Sequence, residues 1–137
     1  MDFIFSESAP EPVGAYPHAR RAGNLLFLSG VGPRKRGSKD IPGVTLDKDR
    51  NIVSYDIEQQ CHSVFQNVRL ILEASGAKWE NLVDVTVFLT NMKDDFPTFN
   101  KIYAEYFKTN QPCRTTVEVT ALPSPIAIEL KCIATVE

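Results

Sequence analysis

Apolar residues recur at three- and four-residue steps from about Asp56 to Ser75. Ile57, Cys61, Val64, Phe65, Val68, Ile71 and Leu72 form one stripe, which predicts an amphipathic helix. Asp56, with Gln59 three residues on, resembles a capping box, and Gly76 is placed to stop the helix. A second helix is predicted from about Asp95 to Lys108, with Phe96, Phe99, Tyr103 and Phe107 on one face and Pro97 in its first turn.

Elsewhere the period is two. Between Leu82 and Thr90, Val83, Val85, Val87 and Leu89 alternate with Asp84, Thr86 and Phe88. Leu25 to Ser29 reads as an apolar strand, with shorter extended segments at the N-terminus and at Ile52-Val53. The C-terminal region predicts two strands joined by a Pro-bearing turn. Thr115, Val117 and Val119 oppose Arg114, Thr116 and Glu118 in the first. Ile126, Ile128, Leu130, Cys132 and Ala134 oppose Ala127, Glu129, Lys131, Ile133 and Thr135 in the second. Two helices can cover one face of such a sheet, so the expected class is α+β. The uncovered face is expected to carry Asp84, Thr86, Phe88, Thr116, Glu118, Ala127, Glu129 and Ile133. Half-apolar and half-polar, it suits a subunit interface with polar clefts at its edges, and a homo-oligomer is expected.

Composition narrows the function classes. The 137 residues predict a single domain over 1–137, and the net charge of −2 gives no global pull toward nucleic acid or anionic membrane. No apolar run approaches the roughly 18 residues of a membrane span, and MDFIFSESAP lacks the parts of a signal peptide. Cys61, Cys113 and Cys132 form no C-x-x-C pair, which points to a reducing cytosol and away from disulfides or zinc. His18 and His62 are too scattered to predict a metal site.

The candidate chemistry lies in the last two strands. Arg114 is a permanently charged fork suited to gripping a carboxylate, and Glu129 is a carboxylate flanked by Ile128 and Leu130 that can position or deprotonate a water. If both reach one cleft, the site can hold an acid-bearing small molecule and hydrate it. The plain alternatives are a surface ion pair for Arg114 and a Glu129–Lys131 pair along one strand face.

Several segments in order resemble the YjgF/UK114/RidA family of reactive-intermediate deaminases. They are Gly14-Ala-Tyr16-Pro-His-Ala19, Leu28-Ser29-Gly30, Asp84-Val-Thr-Val-Phe-Leu89, Phe99-Asn100-Lys-Ile-Tyr103, Pro112-Cys-Arg114-Thr-Thr-Val117 and Ile128-Glu129-Leu-Lys-Cys-Ile-Ala134. The resemblance implies a chorismate-mutase-like (RidA) fold, with a mixed sheet covered on one face by two helices. It also implies a homotrimer with the sheets packed inside and with active sites shared between subunits, and cofactor-free hydrolysis of enamines or imines to a keto compound and ammonia. Tyr16-Pro-His-Ala-Arg-Arg-Ala-Gly23, the Arg-Thr-Thr-Val motif and Ile-Glu-Leu-Lys look most like the 2-aminomuconate deaminase branch. Two departures from the family pattern are Val31 after Ser29-Gly30 and Thr116 two positions after the arginine.

Carried over residue by residue, the resemblance makes Arg114 the clamp for the substrate carboxylate and Glu129 the water-holding acid/base. Tyr16, Ser29, Gly30, Asn100 and Thr116 become substrate-facing candidates. His18 is an acid/base or carboxylate contact, against a structural loop histidine. The basic loop Gly32-Pro-Arg-Lys-Arg-Gly-Ser-Lys39 is either a solvated mobile loop or the source of Arg34 or Arg36 for a second carboxylate. Family-level alternatives are general 2-iminopropionate/2-aminoacrylate hydrolysis, or an RNA-directed or chaperone-like role. The missing basic face and few histidines weigh against RNA cleavage, and no membrane or nucleic-acid partner is expected.

Overall fold

The C-terminal strand sets the architecture, because its alternation is the cleanest in the chain. In the computed structural model, which describes residues 2–137, this strand is β8 (Ile128–Thr135). Ile128, Leu130, Cys132 and Ala134 are buried, and Glu129, Lys131, Ile133 and Thr135 are half-buried on the other side. The elements before it are β1 (Phe3–Ile4), β2 (Ala19–Ala22), β3 (Leu25–Leu28), β4 (Val44–Leu46), β5 (Ile52–Tyr55), α1 (Ile57–Ala74), β6 (Leu82–Leu89), α2 (Met92–Tyr106) and β7 (Cys113–Glu118). Six strands form one sheet in the order β1-β2-β3-β8-β6-β7, and β4-β5 is a separate hairpin. Among the described residues only the β6–β7 pair is parallel, joined by the crossover through α2. Both helices pack on one face, as the α+β expectation required.

Local chemistry explains the ends of α1. Asp56 Oδ1 accepts from the Glu58 and Gln59 amides, and Gly76, at φ +73°, lets the chain leave the helix while its N–H donates to the Glu73 carbonyl. The predicted stripe is the buried one, and Phe65 is its centre at 0% exposure. Its ring meets Trp79, Tyr103, Tyr106 and Phe107 at centroid distances between 4.4 and 6.2 Å. The polar residues Gln60 and Asn67 are also buried on α1, because each serves a distant backbone group. Gln60 accepts from the Ala127 amide and donates to Pro42 O, and Asn67 donates to the Gly32 and Arg34 carbonyls. No helix among the described residues is long and apolar enough to cross a membrane.

Four sequence expectations need correction. First, α2 starts at Met92, not Asp95, because the Asn91 side chain caps it by accepting from the Asp94 amide. Pro97 therefore sits in the second turn and forfeits the bond to the Lys93 carbonyl. Second, Val83 does not join Val85 on the core face. A bulge between Leu82 and Asp84 puts Leu82 inside (2% exposed) and Val83 outside (40%). Third, Ala127, expected among the strand's open-face residues, lies just before β8 and is fully buried.

The fourth correction matters most. The parallel register pairs Arg114 with Val85, Thr116 with Val87 and Glu118 with Leu89. Those β6 residues are buried under the helices, so Arg114, Thr116 and Glu118 share the helix side. Thr116 and Glu118 were expected on the open face; Thr115 and Val117 are there instead, beside Thr86 and Phe88.

Phe65→Ala is expected to cost about 3–5 kcal/mol in urea unfolding, since the aromatic cluster cannot close over the lost ring. A loss under about 1 kcal/mol would show that Phe65 is not the keystone of the helix layer.

Candidate active site

After β3 the chain runs through Ser29 and Gly30 and returns beside β8, where Val31 and Leu130 exchange two backbone bonds of 2.8 and 2.9 Å. That bridge lays Gly30 against Glu129. A Cβ built on Gly30 would lie 2.7 Å from Glu129 Oε2, so glycine there leaves room for the carboxylate. Ser29 is held by its neighbours: its amide donates to His18 O and its hydroxyl to Pro17 O. Tyr16 is 39% exposed, and its hydroxyl accepts from the Val13 amide. Tyr16, His18, Ser29, Gly30 and Arg34 line one narrow cleft with Pro10 and Pro12; its interior space is about 30 Å³, enough for about one water.

Glu129 is half-buried, and burial raises its pKa above the ordinary carboxylate range. The pairing with Lys131 raised by the sequence does not form. The Lys131 ammonium instead donates to Leu28 O, and the only ion pair among the described residues is Arg36–Glu11. Glu129 is therefore a carboxylate poised to take up a proton.

Two sequence candidates are occupied elsewhere. His18 is 6% exposed; its Nδ1 accepts from the Ser6 amide and its Nε2–H donates to Pro10 O. Both ring nitrogens are spent on the N-terminal strap, so the acid/base role for His18 is not available in this arrangement. Arg36 likewise donates to Ala9 O and Ser6 O and pairs with Glu11 at 3.3 Å, which makes it a strap residue. Arg34 spends only Nη2, on Glu11 O, and lines the cleft. Ser63 and Asn67 of α1 stitch down the start of the basic loop at Pro33, Gly32 and Arg34, while Lys35 to Lys39 are exposed.

Arg114 sits apart from all of these. Its Nη1 donates to Asn100 Oδ1 at 2.9 Å, and its guanidinium carbon lies 4.7, 5.5 and 5.8 Å from the Tyr103, Phe99 and Phe96 ring centroids. No carboxylate engages it among the described residues. Thr116 lies two residues along the same face. Glu129 pairs with Phe88 and Arg114 with Val85, three positions away on β6 and hence on the opposite face. Strand spacing and rise put their Cα atoms about 14 Å apart. One chain thus builds two half-sites and does not join them: Gly30 against Glu129, with Gly30 also lining the Tyr16/Ser29/Arg34 cleft, and Asn100/Arg114/Thr116. The aromatic platform under Arg114 was visible as the α2 stripe but read only as packing. No group of three or more His, Cys, Asp or Glu residues able to hold a metal occurs among the described residues.

The family model described as Endoribonuclease L-PSP matches residues 6–136. The chain belongs to this YjgF/RidA family. It is 39% identical to the chloroplastic Reactive Intermediate Deaminase A of Arabidopsis thaliana, with 98% of this chain and 65% of that protein covered. It is 33% identical to a 2-iminobutanoate/2-iminopropanoate deaminase of Dermatophagoides farinae, over 98% and 95% of the two chains. The structure of E. coli TdcF with bound serine superposes at a TM-score of 0.84, with 27% identity and full coverage of both chains. The RidA fold expected from the sequence motifs is therefore the fold observed.

The raised Glu129 pKa carries a sign that can be checked. Between the unfolded value near 4.3 and the higher folded value, the native state binds more protons than the unfolded chain. Stability attributable to this group therefore falls as pH rises through that window. Glu129→Gln is expected to raise the melting temperature at pH 7 and to leave it unchanged at pH 3. An equal shift at both pH values would trace the effect to packing instead.

Proposed function

We propose that the protein is a cofactor-free hydrolytic deaminase that converts unsaturated 2-amino or 2-imino acids to 2-oxo acids and ammonia. The observation that carries this reading is the pair of unpartnered charges: a guanidinium with free donors and a half-buried carboxylate with a raised pKa. The names of the two deaminase relatives support it. Arg114 grips the substrate carboxylate through a bidentate pair. An enamine first tautomerises to the imine. Glu129 then takes a proton from water as its oxygen adds to the C=N carbon and passes it to the nitrogen, giving a carbinolamine; it next takes the carbinolamine hydroxyl proton as C=O forms and delivers it to the nitrogen as the C–N bond breaks. One water is consumed, the C=N becomes C=O, and ammonia leaves.

Because the half-sites lie on opposite faces of one sheet, the working cleft is formed between copies, in a homotrimer. Arg114 comes from one subunit and Glu129, Gly30, Ser29 and Tyr16 from its neighbour. The preferred substrate is 2-aminomuconate, giving 2-oxohex-3-enedioate. Its second carboxylate meets Arg34, which spends only Nη2 on Glu11 O and lines the cleft with Ser29 and Gly30, and Arg36 does not take part. The cytosol is the proposed compartment.

Ammonia release from 2-aminomuconate and 2-iminopropanoate tests the chemistry. Arg114→Ala and Glu129→Gln are each expected to lower kcat/KM at least about 100-fold. RNA cleavage that Arg114→Ala abolishes, with no ammonia from either small molecule, would replace this reading by the activity in the family's description. Co-refolding the two inactive variants tests the shared cleft. In random trimers about a quarter of the clefts combine the intact Arg114 of one chain with the intact Glu129 of the other, and that fraction of activity should return. No recovery in mixed trimers would place the site within one chain.

A further inference from the structure

Tyr103 is 8% exposed, on the buried face of α2, and its hydroxyl is the only buried side-chain polar atom without a partner among the described residues. Its ring is the nearest of the three under Arg114, at 4.7 Å from the guanidinium carbon, and both residues line a cleft with Gln111 and Pro112. A phenylalanine would fill the same space and keep a cation–π face without desolvating a hydroxyl, which costs about 1–3 kcal/mol when unpaired. An orphaned buried hydroxyl on the ring under a guanidinium calls for a partner that a single chain does not provide.

Resting on the proposed role of Arg114 as the acid clamp, we propose that Tyr103 is a positioning residue for Arg114. Its ring face fixes the plane of the guanidinium, and its hydroxyl gains a hydrogen-bond partner when a carboxylate occupies the clamp. Asn100 holds one nitrogen from the side, at 2.9 Å, and the other guanidinium N–H groups keep no protein partner among the described residues. Burial pushes the Tyr103 hydroxyl pKa up to about 12 while the Arg114 charge pulls it down, so the phenol stays protonated and available as a donor. Phe99 and Phe96 lie farther from the guanidinium and bring no hydroxyl.

The test separates this role from packing and from the clamp itself. Tyr103→Phe is expected to raise KM for 2-iminopropanoate about three- to tenfold with kcat within about twofold, as for one lost hydrogen bond. Its melting temperature should equal or exceed that of the parent, because an unpaired buried polar group is gone. An unchanged KM overturns the proposal. A second readout needs no turnover. In protein labelled with 3-fluorotyrosine, the Tyr103 resonance is assigned by its loss in Tyr103→Phe and followed as 2-oxobutanoate is added. It should move in the parent and stay still in Arg114→Ala. If it stays still in the parent although calorimetry shows 2-oxobutanoate bound, and Arg114→Ala abolishes that binding, the clamp stands and the Tyr103 role is wrong. If Arg114→Ala binds 2-oxobutanoate as tightly as the parent, the clamp reading itself fails.

Discussion

The strict two-residue period of β8 is the constraint on which the rest depends. Ile128, Leu130, Cys132 and Ala134 must face the helices to be dry, and that forces Glu129 onto the open face. A one-residue slip would bury the carboxylate under α1 and wet the whole apolar row. The Val31–Leu130 bridge then brings Gly30 against Glu129, so the acid is held by the same register that closes the core. On the other side of β6, the parallel register of β7 fixes Arg114 with the same rigidity and the opposite sign of face. The location of each charged group follows from apolar packing.

Much of this was legible in the chain. α1 was readable from its stripe and its Asp56 and Gly76 signals, and β8 from its alternation, because each pattern is set by local geometry. The face of β7 was not. A hairpin transmits register through a short turn, whereas β7 reaches β6 through the whole of α2, and nothing local tells which way Arg114 points. The Val83 bulge was equally hidden, since Leu82 and Val83 are both apolar and either could face the core. For His18 and Arg36 the sequence left two readings open, a structural one and a substrate-facing one, and could not show what holds them. Their partners are the backbone oxygens and amide of residues 6–10, and no side-chain pattern encodes those. Gly30 and Glu129 were recognised by motif, but the reason they occur together appeared only with the 2.7 Å approach.

The open face gives assembly a physical motive that does not depend on the site. Phe27 pairs with Ile133, and Ile133 with Asp84; Phe88 lies between Glu129 and Val117. Phe27 is 37% exposed and Val117 36%, and this apolar lattice is threaded by Glu129, Lys131 and Asp84. Burial of such a face against another copy is favourable per unit of apolar area, and it removes water from around Glu129. Assembly and the raised carboxylate pKa therefore act in the same direction.

The two half-sites use opposite means to keep a charge reactive. Glu129 is left without a cation and pressed against a glycine, so burial favours its neutral form and gives it an affinity for protons. Arg114 cannot lose its charge, so it is held by ring faces and one amide oxygen, which orient the guanidinium without neutralising it. Had the fold placed the two side chains together in one protomer, they would have formed a salt bridge. That pairing would pull the carboxylate pKa down and occupy the guanidinium donors. Opposite faces of one sheet prevent that collapse within a chain, and the proposed cleft between copies would hold the two groups apart by the width of a substrate.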